Sequence, residues 1–294
     1  LRGLVISGGG SKGAFAGGIT DYLINQKSIK WDILLGTSTG SLLIPHLCLS
    51  KTKKLKKIYT NVSQQDIFSL DPFVIRSKKD QKYVTINYIN TITQFIKKRR
   101  TFGESKNLRK TIEKKFTVDE FLNIKKSSKD IIVTVSNLTK NKIEYKSIKD
   151  FEYQDFLDWI WISCNMIPFM SLVSKDGYKY ADGGFGSMVP IRECIRRGAT
   201  EIDVVILETE TCSKNKVLGK NPFDLMINLF TFMVDQVEIN DIREGKLAAM
   251  YNGVKLNLYY TPVSLTNNSL IFDKNNMEQW WKDGFDYAKN RFNI

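Results

Sequence analysis

The sequence predicts an α/β protein with a mainly parallel central sheet flanked by helices. It reads as a single domain over residues 1–294, with a basic helical cap inserted at about 51–130. Three observations carry this. Apolar, strand-like runs at residues 3–7 and 31–35 each end in a glycine-containing turn and hand over to a helical pattern, which makes a βαβ unit with a right-handed crossover. Further short apolar runs at 131–135, 202–207 and 256–260 supply more strands, with helical stretches among them. Positive charge is concentrated in one third of the chain: residues 51–150 hold 25 Lys and Arg against 10 Asp and Glu, whereas the rest hold 19 against 21.

Taken in order, Gly-Leu-Val-Ile-Ser at 3–7 is a buried strand, and Gly8-Gly9-Gly10-Ser11-Lys12-Gly13 follows it at once. Residues 14–26 then place Phe15, Ile19, Tyr22 and Leu23 on one helical side. The second strand, Trp31 to Leu35, runs into Gly36-Thr37-Ser38-Thr39-Gly40 and a new apolar helix. From Lys51 the composition turns basic. Within that stretch Tyr88, Ile92, Phe95 and Ile96 recur at helical spacing and lead into Lys97-Lys98-Arg99-Arg100. Such an amphipathic helix suits a membrane surface, and it equally suits packing onto the domain. A strand at 131–135 and a weaker one at 142–146 flank a polar turn. A Trp-rich helix at 156–165 is stopped by Pro168. Tyr178 to Tyr180 is a short strand leading into Asp182-Gly183-Gly184, residues 223–250 are mostly helical, and 275–291 form a closing helix.

Chemistry enters at the two turns, which should share the edge where parallel strands end. G-x-S-x-G on a strand-to-helix turn lifts Ser38 clear of both elements, and the helix N-terminus behind it favours developing negative charge. The glycine run offers bare N–H groups that can approach an oxyanion. Gly8-x-Gly10-x-x-Gly13 also matches the letters of a dinucleotide fingerprint. However, Asp32 precedes its strand, where a ribose-binding acid belongs after it, and Ala14 stands where a P-loop needs lysine.

A nucleophilic serine needs a base. The only imidazole, His46, lies eight residues on, about 12 Å along a continuous helix, far beyond hydrogen-bond reach. His46 is therefore read as a packed helix residue. The proton must go to a carboxylate or a lysine, and Asp182, an acid on a glycine turn late in the α/β pattern, is the best candidate.

Taken singly, each of these motifs is also an ordinary turn. Together and in this order, Gly8–Gly13, Gly36–Gly40 and Asp182-Gly183-Gly184 resemble those of the patatin-like phospholipases, with Ser163 and Pro168 resembling the helix before the acid motif. The resemblance covers residues 1 to about 210. It implies a patatin-like three-layer sandwich and a Ser38–Asp182 dyad without a metal or cofactor. It also implies an oxyanion hole from the Gly8, Gly9, Gly10 and Gly13 run, chiefly Gly9 and Gly10, with Gly183 and Gly184 supporting the acid loop. The reaction implied is fatty-acyl ester hydrolysis of phospholipids through an acyl-enzyme. Lys12 occupies the family's basic position. Met188 stands where the family commonly has asparagine, which removes one expected hydrogen bond to the acid loop.

Apolar content of 42% and aromatic content of 12% exclude a disordered chain. Cys48, Cys164, Cys194 and Cys212 are widely spaced, against a disulfide scaffold or zinc site. No apolar run approaches a spanning helix and no signal peptide is seen, so the expected location is cytoplasmic or peripheral to membranes. The basic third points to an anionic lipid surface as partner. A nucleic acid is not expected, because that stretch holds no recognisable nucleic-acid-binding motif. The competing reading is a non-catalytic lipid-binding protein on the same fold, against which the intact Ser38 and Asp182 speak.

Overall fold

A computed structural model describes residues 1–78, 81–211 and 222–292 of the chain; Cys212 lies outside them. The sheet grows from β1 (Arg2–Ile6), which pairs in parallel with β2 (Ile33–Thr37), and α1 (Gly13–Asn25) makes the crossover. β2 starts later than its apolar run. Trp31 precedes it, buried, with its indole N–H donating to Asp203 Oδ2 at 2.8 Å. α2 (Thr39–Cys48) follows directly.

The basic segment contains α3 (Thr52–Tyr59), α4 (Gln64–Ile67), β3 (Phe73–Lys78), β4 (Gln81–Ile86), α5 (Tyr88–Ile96), α6 (Lys106–Lys115) and α7 (Val118–Lys126). It is therefore not purely helical. β3 and β4 form a separate antiparallel hairpin, whose two short apolar runs are divided by lysines and carry too brief an alternation to register as strands. Leu55, Tyr59, Leu108, Ile112, Phe121 and Ile124 are buried in the same hydrophobic core as Phe15 and Ile19. Part of the basic excess is also structural. Lys51 and Lys54 both pair with Glu120, and Lys149 Nζ donates to the carbonyls of Ile124, Lys125 and Ser127.

Beyond it come β5 (Asp130–Asn137), β6 (Lys142–Ser147), α8 (Tyr153–Ser163), β7 (Val173–Lys175), β8 (Tyr178–Asp182) and α9 (Ile191–Arg196). β9 (Glu201–Ile206), α10 (Pro222–Asn252), β10 (Lys255–Tyr260) and α11 (Lys274–Arg291) complete the chain. The sheet order is β10-β9-β1-β2-β5-β8-β7, with β6 also on β5. Strands β10 to β5 in that order are parallel; β6, β7 and β8 pair antiparallel. The fold is thus the α/β sandwich expected, with its antiparallel part confined to one side.

The C-terminal elements belong to this body. β10 extends the parallel sheet, and α11 lies along α1 with Trp281 buried. A Cβ on Gly17 would fall 2.1 Å from the Trp281 ring, so the helices approach closely only because α1 carries glycine there. Among the described residues no helix is long and apolar enough to cross a membrane.

Candidate active site

Ser38 sits between β2 and α2 with φ 52° and ψ −120°, a conformation that costs a residue with a Cβ about 1–3 kcal/mol. Its surroundings impose it. The Ser38 N–H donates to Ser163 Oγ at 2.9 Å, and Ser163 in turn contacts Ser41 Oγ at 2.9 Å. Ser41 Oγ donates to the Gly36 carbonyl, also at 2.9 Å. The turn passes so close to β1 that a Cβ on Gly40 would lie 2.3 Å from the Ile6 carbonyl oxygen. Any side chain at Gly40 would force α2 away from β1.

The glycine turn after β1 is held through the residues that follow the glycines. Gly10 has φ +53°. The Gly10 carbonyl accepts from Thr39 Oγ1 at 2.7 Å and from Tyr59 Oη at 2.5 Å, while Ser11 N–H donates to the Ser269 carbonyl at 2.8 Å. One peptide plane is therefore pinned at both ends, and the Gly9 and Gly10 N–H groups donate to no acceptor among the described residues. Lys12, buried, pairs through Nζ with Glu208 and anchors the loop from below.

Asp182 reaches this place by a route that strand patterns do not reveal. β2 pairs with β5 as far as Thr37 opposite Thr134, and β8 pairs with the next residues, Asp182 opposite Val135. Because β6 occupies the other edge of β5 over those residues, β8 must use the edge that β2 vacates. Two strands running in opposite directions therefore end against each other, and Ser38 and Asp182 lie at the junction.

Asp182 is fully buried. Its Oδ1 accepts from Gly184 N–H at 2.8 Å, and its own N–H donates to the Asn165 carbonyl at 2.9 Å. Oδ2 is buried without a partner in hydrogen-bond geometry among the described residues. Burial pushes the carboxyl up to about 7, against the opposing pulls of the Gly184 N–H and of the Ser38 hydroxyl, which is close enough to act on it. A carboxyl in this state can exchange a proton near neutral pH.

Met188, at the position of the expected asparagine, does different work. Its Sδ would lie 2.5 Å from a Cβ on Gly8, and its Cε 2.6 Å from one on Gly184, so it fills the space between glycine turn and acid loop. The loop is steadied instead by Ser187 N–H donating to Gly183 at 2.9 Å and by Asp241 Oδ2 accepting from Val189 N–H at 2.9 Å.

Gly8, Gly9, Gly10 and Ser38 line a cavity of about 500 Å³. Phe73, Met166, Phe169, Phe230 and Leu270 give it an apolar wall. Glu238, buried and pushed up to about 8 by that burial, stands on another side with Lys12 and Glu208. Asp182 lies behind this surface. Gly13, Gly183 and Gly184 do not line the cavity: Gly13 begins α1 against Tyr59 and Thr39, and Gly183 packs on the Thr134 carbonyl. His46 is buried and does not line it. Its Nε2 lies 3.2 Å from the Lys115 carbonyl, and burial lowers its pKa to about 4. Among the described residues no group of three His, Cys, Asp or Glu side chains is arranged to hold a metal.

Sequence reasoning missed Tyr59, Thr39 and Glu238 as parts of the site. The sole trace of Tyr59 was an apolar i, i+4 pair with Leu55 inside a lysine-rich helix, a pattern that signals packing without naming what is packed.

The model of a family described as patatin-like phospholipase matches residues 4–195. The crystal structure of VipD from Legionella pneumophila superposes with a TM-score of 0.56 at 15% identity, over 99% of this chain and 66% of that one. The chain thus spans just under two thirds of that protein, and the likeness is one of fold. A search of curated proteins found no match.

Proposed function

The chain belongs to the patatin-like phospholipase family, a family of lipid acyl hydrolases, and from that premise we propose that it is a phospholipase of the A type with Ser38 as nucleophile and Asp182 as base. The observation that carries the proposal is the meeting of the strained Ser38 and the buried, half-satisfied Asp182 beside uncommitted glycine N–H groups, in a cavity with an apolar wall. In this reading Asp182 takes the Ser38 proton as Oγ attacks the acyl carbonyl. The N–H groups of Gly9 and Gly10 stabilise the tetrahedral oxyanion. Collapse breaks the ester C–O bond, Asp182 returns the proton to the departing lysolipid oxygen, and the acyl group stays on Ser38. Water, losing its proton to Asp182, then attacks the acyl carbonyl; the bond to Ser38 Oγ breaks, Asp182 returns the proton to Oγ, and the fatty acid leaves. Phe73, Phe169 and Phe230 suit the acyl chain. The substrate is a phospholipid presented at a membrane or micelle surface, and residues 51–130 act as a cap on one domain.

A fluorophosphonate probe tests this. It should label the wild type at Ser38 and leave Ser38→Ala unlabelled, and Ser38→Ala and Asp182→Asn should each lose at least about a thousandfold in fatty-acid release. Folded protein that resists labelling would return the chain to the class of non-catalytic lipid binders.

A further inference from the structure

We propose that α5 and the first half of α10 form the surface by which this protein docks onto an anionic phospholipid bilayer, with the cavity mouth between their contributions. The inference rests on the hydrolase reading for its substrate and on independent observations for its location.

α5 is mounted with its apolar face outward. Ile89, Ile92, Phe95 and Ile96 are exposed at 78%, 59%, 77% and 76%, while polar Thr91 is buried. An amphipathic helix on a protein normally does the opposite, because each large apolar side chain left in water forfeits its transfer free energy. The first half of α10 repeats the arrangement: Leu225, Met226, Leu229, Phe232 and Met233 are all exposed, at the spacing i, i+1, i+4, i+7 and i+8. Two such stripes on one molecule mark an interaction surface.

Their position joins them to the site. Tyr88 of α5 and Phe230, Thr231 and Val234 of α10 line the same cavity as Ser38. A surface that received these stripes would receive the cavity mouth with them.

The charge identifies the occupant. Lys97, Lys98, Arg99 and Arg100 follow α5 directly, are all exposed, and make no ion pair with any described residue, unlike Lys51 and Lys54 of the same basic segment. Apolar side chains backed by unpaired cations match an interface of acyl chains beneath anionic headgroups.

The test uses the full chain and sedimentation with vesicles of phosphatidylcholine containing phosphatidylserine. Three variants are compared with wild type: Ile92→Ser with Phe95→Ser and Ile96→Ser; Met226→Ser with Leu229→Ser and Met233→Ser; and Lys97→Glu with Arg99→Glu and Arg100→Glu. Each should weaken vesicle binding about tenfold or more, and the charge variant should remove the advantage over pure phosphatidylcholine vesicles. Fluorophosphonate labelling of Ser38 and hydrolysis of a short, water-soluble ester should stay at the wild-type level in all three. Wild-type protein that ignores vesicles, or variants that bind them undiminished, overturns the docking surface whatever the labelling shows. A loss of self-association with vesicle binding intact also overturns it, in favour of a second copy. Failure of wild-type labelling with variant-sensitive vesicle binding would strike the hydrolase reading alone.

Discussion

Tyr59 Oη lies 2.5 Å from the Gly10 carbonyl and 2.6 Å from Thr39 Oγ1, so a residue of the basic segment joins the glycine turn to the serine turn. Burial pushes the phenol well above its ordinary value, so it stays a neutral hydroxyl throughout the working range. The Gly10–Ser11 peptide, held at its carbonyl by Tyr59 and Thr39 and at its N–H by Ser269, cannot rotate, and its rigidity sets the direction of the adjoining glycine N–H groups.

Tyr59→Phe with Thr39→Val keeps the buried volume and releases that carbonyl. We expect kcat to fall about 10- to 100-fold with KM little changed, since in the proposed mechanism the interaction serves an oxyanion that exists only in the transition state. Steady-state kinetics on a soluble ester would show it, and an unchanged kcat would mean the pin is merely structural.

In the proposed mechanism Asp182 sets the pH dependence. Burial pushes its carboxyl up to about 7 from an ordinary 3.8, and a base works only when ionised. Activity should therefore fall about tenfold per unit as pH drops below that value and level off above it. Stability runs the other way. Between the two values the folded chain holds a proton that the unfolded chain has lost, so this carboxyl lowers stability progressively as pH rises through that window. Asp182→Asn should gain in stability on wild type between about pH 5 and pH 8 while losing activity. Parallel urea curves at both ends check the sign, and a variant that loses ground at higher pH contradicts the assignment.

Gly40→Ala puts a methyl group 2.3 Å from the Ile6 carbonyl, where backbone must move to accept it. A cost of about 2 kcal/mol or more is expected, with Ser38 labelling lost in the protein that still folds. Chemical denaturation and probe labelling of the same sample separate the two effects.

Trp281 tests whether the C-terminal elements outside the family match belong to the fold. It is 1% exposed and seated on Gly17. Trp281→Ala should cost about 3–5 kcal/mol in a urea titration. A cost below about 1 kcal/mol would show α11 to be an appendage.

Much of this molecule was legible because its signals are local. A strand, a glycine turn and a helix declare themselves over a dozen residues, so both strand-to-helix turns were placed from sequence. The single histidine could be set aside by helix geometry, and it is indeed buried against Lys115. The β3–β4 hairpin escaped because its alternation is short, and the role of Met188 because packing leaves no mark on a motif.

The sequence by itself determined which residues occupy sharp turns, where helices and strands run, and that α5 is amphipathic. Only the tertiary structure decided that β8 runs antiparallel into the edge β2 leaves on β5, which brings Ser38 and Asp182 together. It also decided that Tyr59 grips Gly10, that Lys51, Lys54 and Lys149 serve the fold, and that the apolar stripe of α5 faces outward. The physical reason is common to all four. Spacing along a chain fixes the period of a pattern, whereas the pairing of distant strands and the rotation of a helix about its own axis depend on contacts that no local window contains.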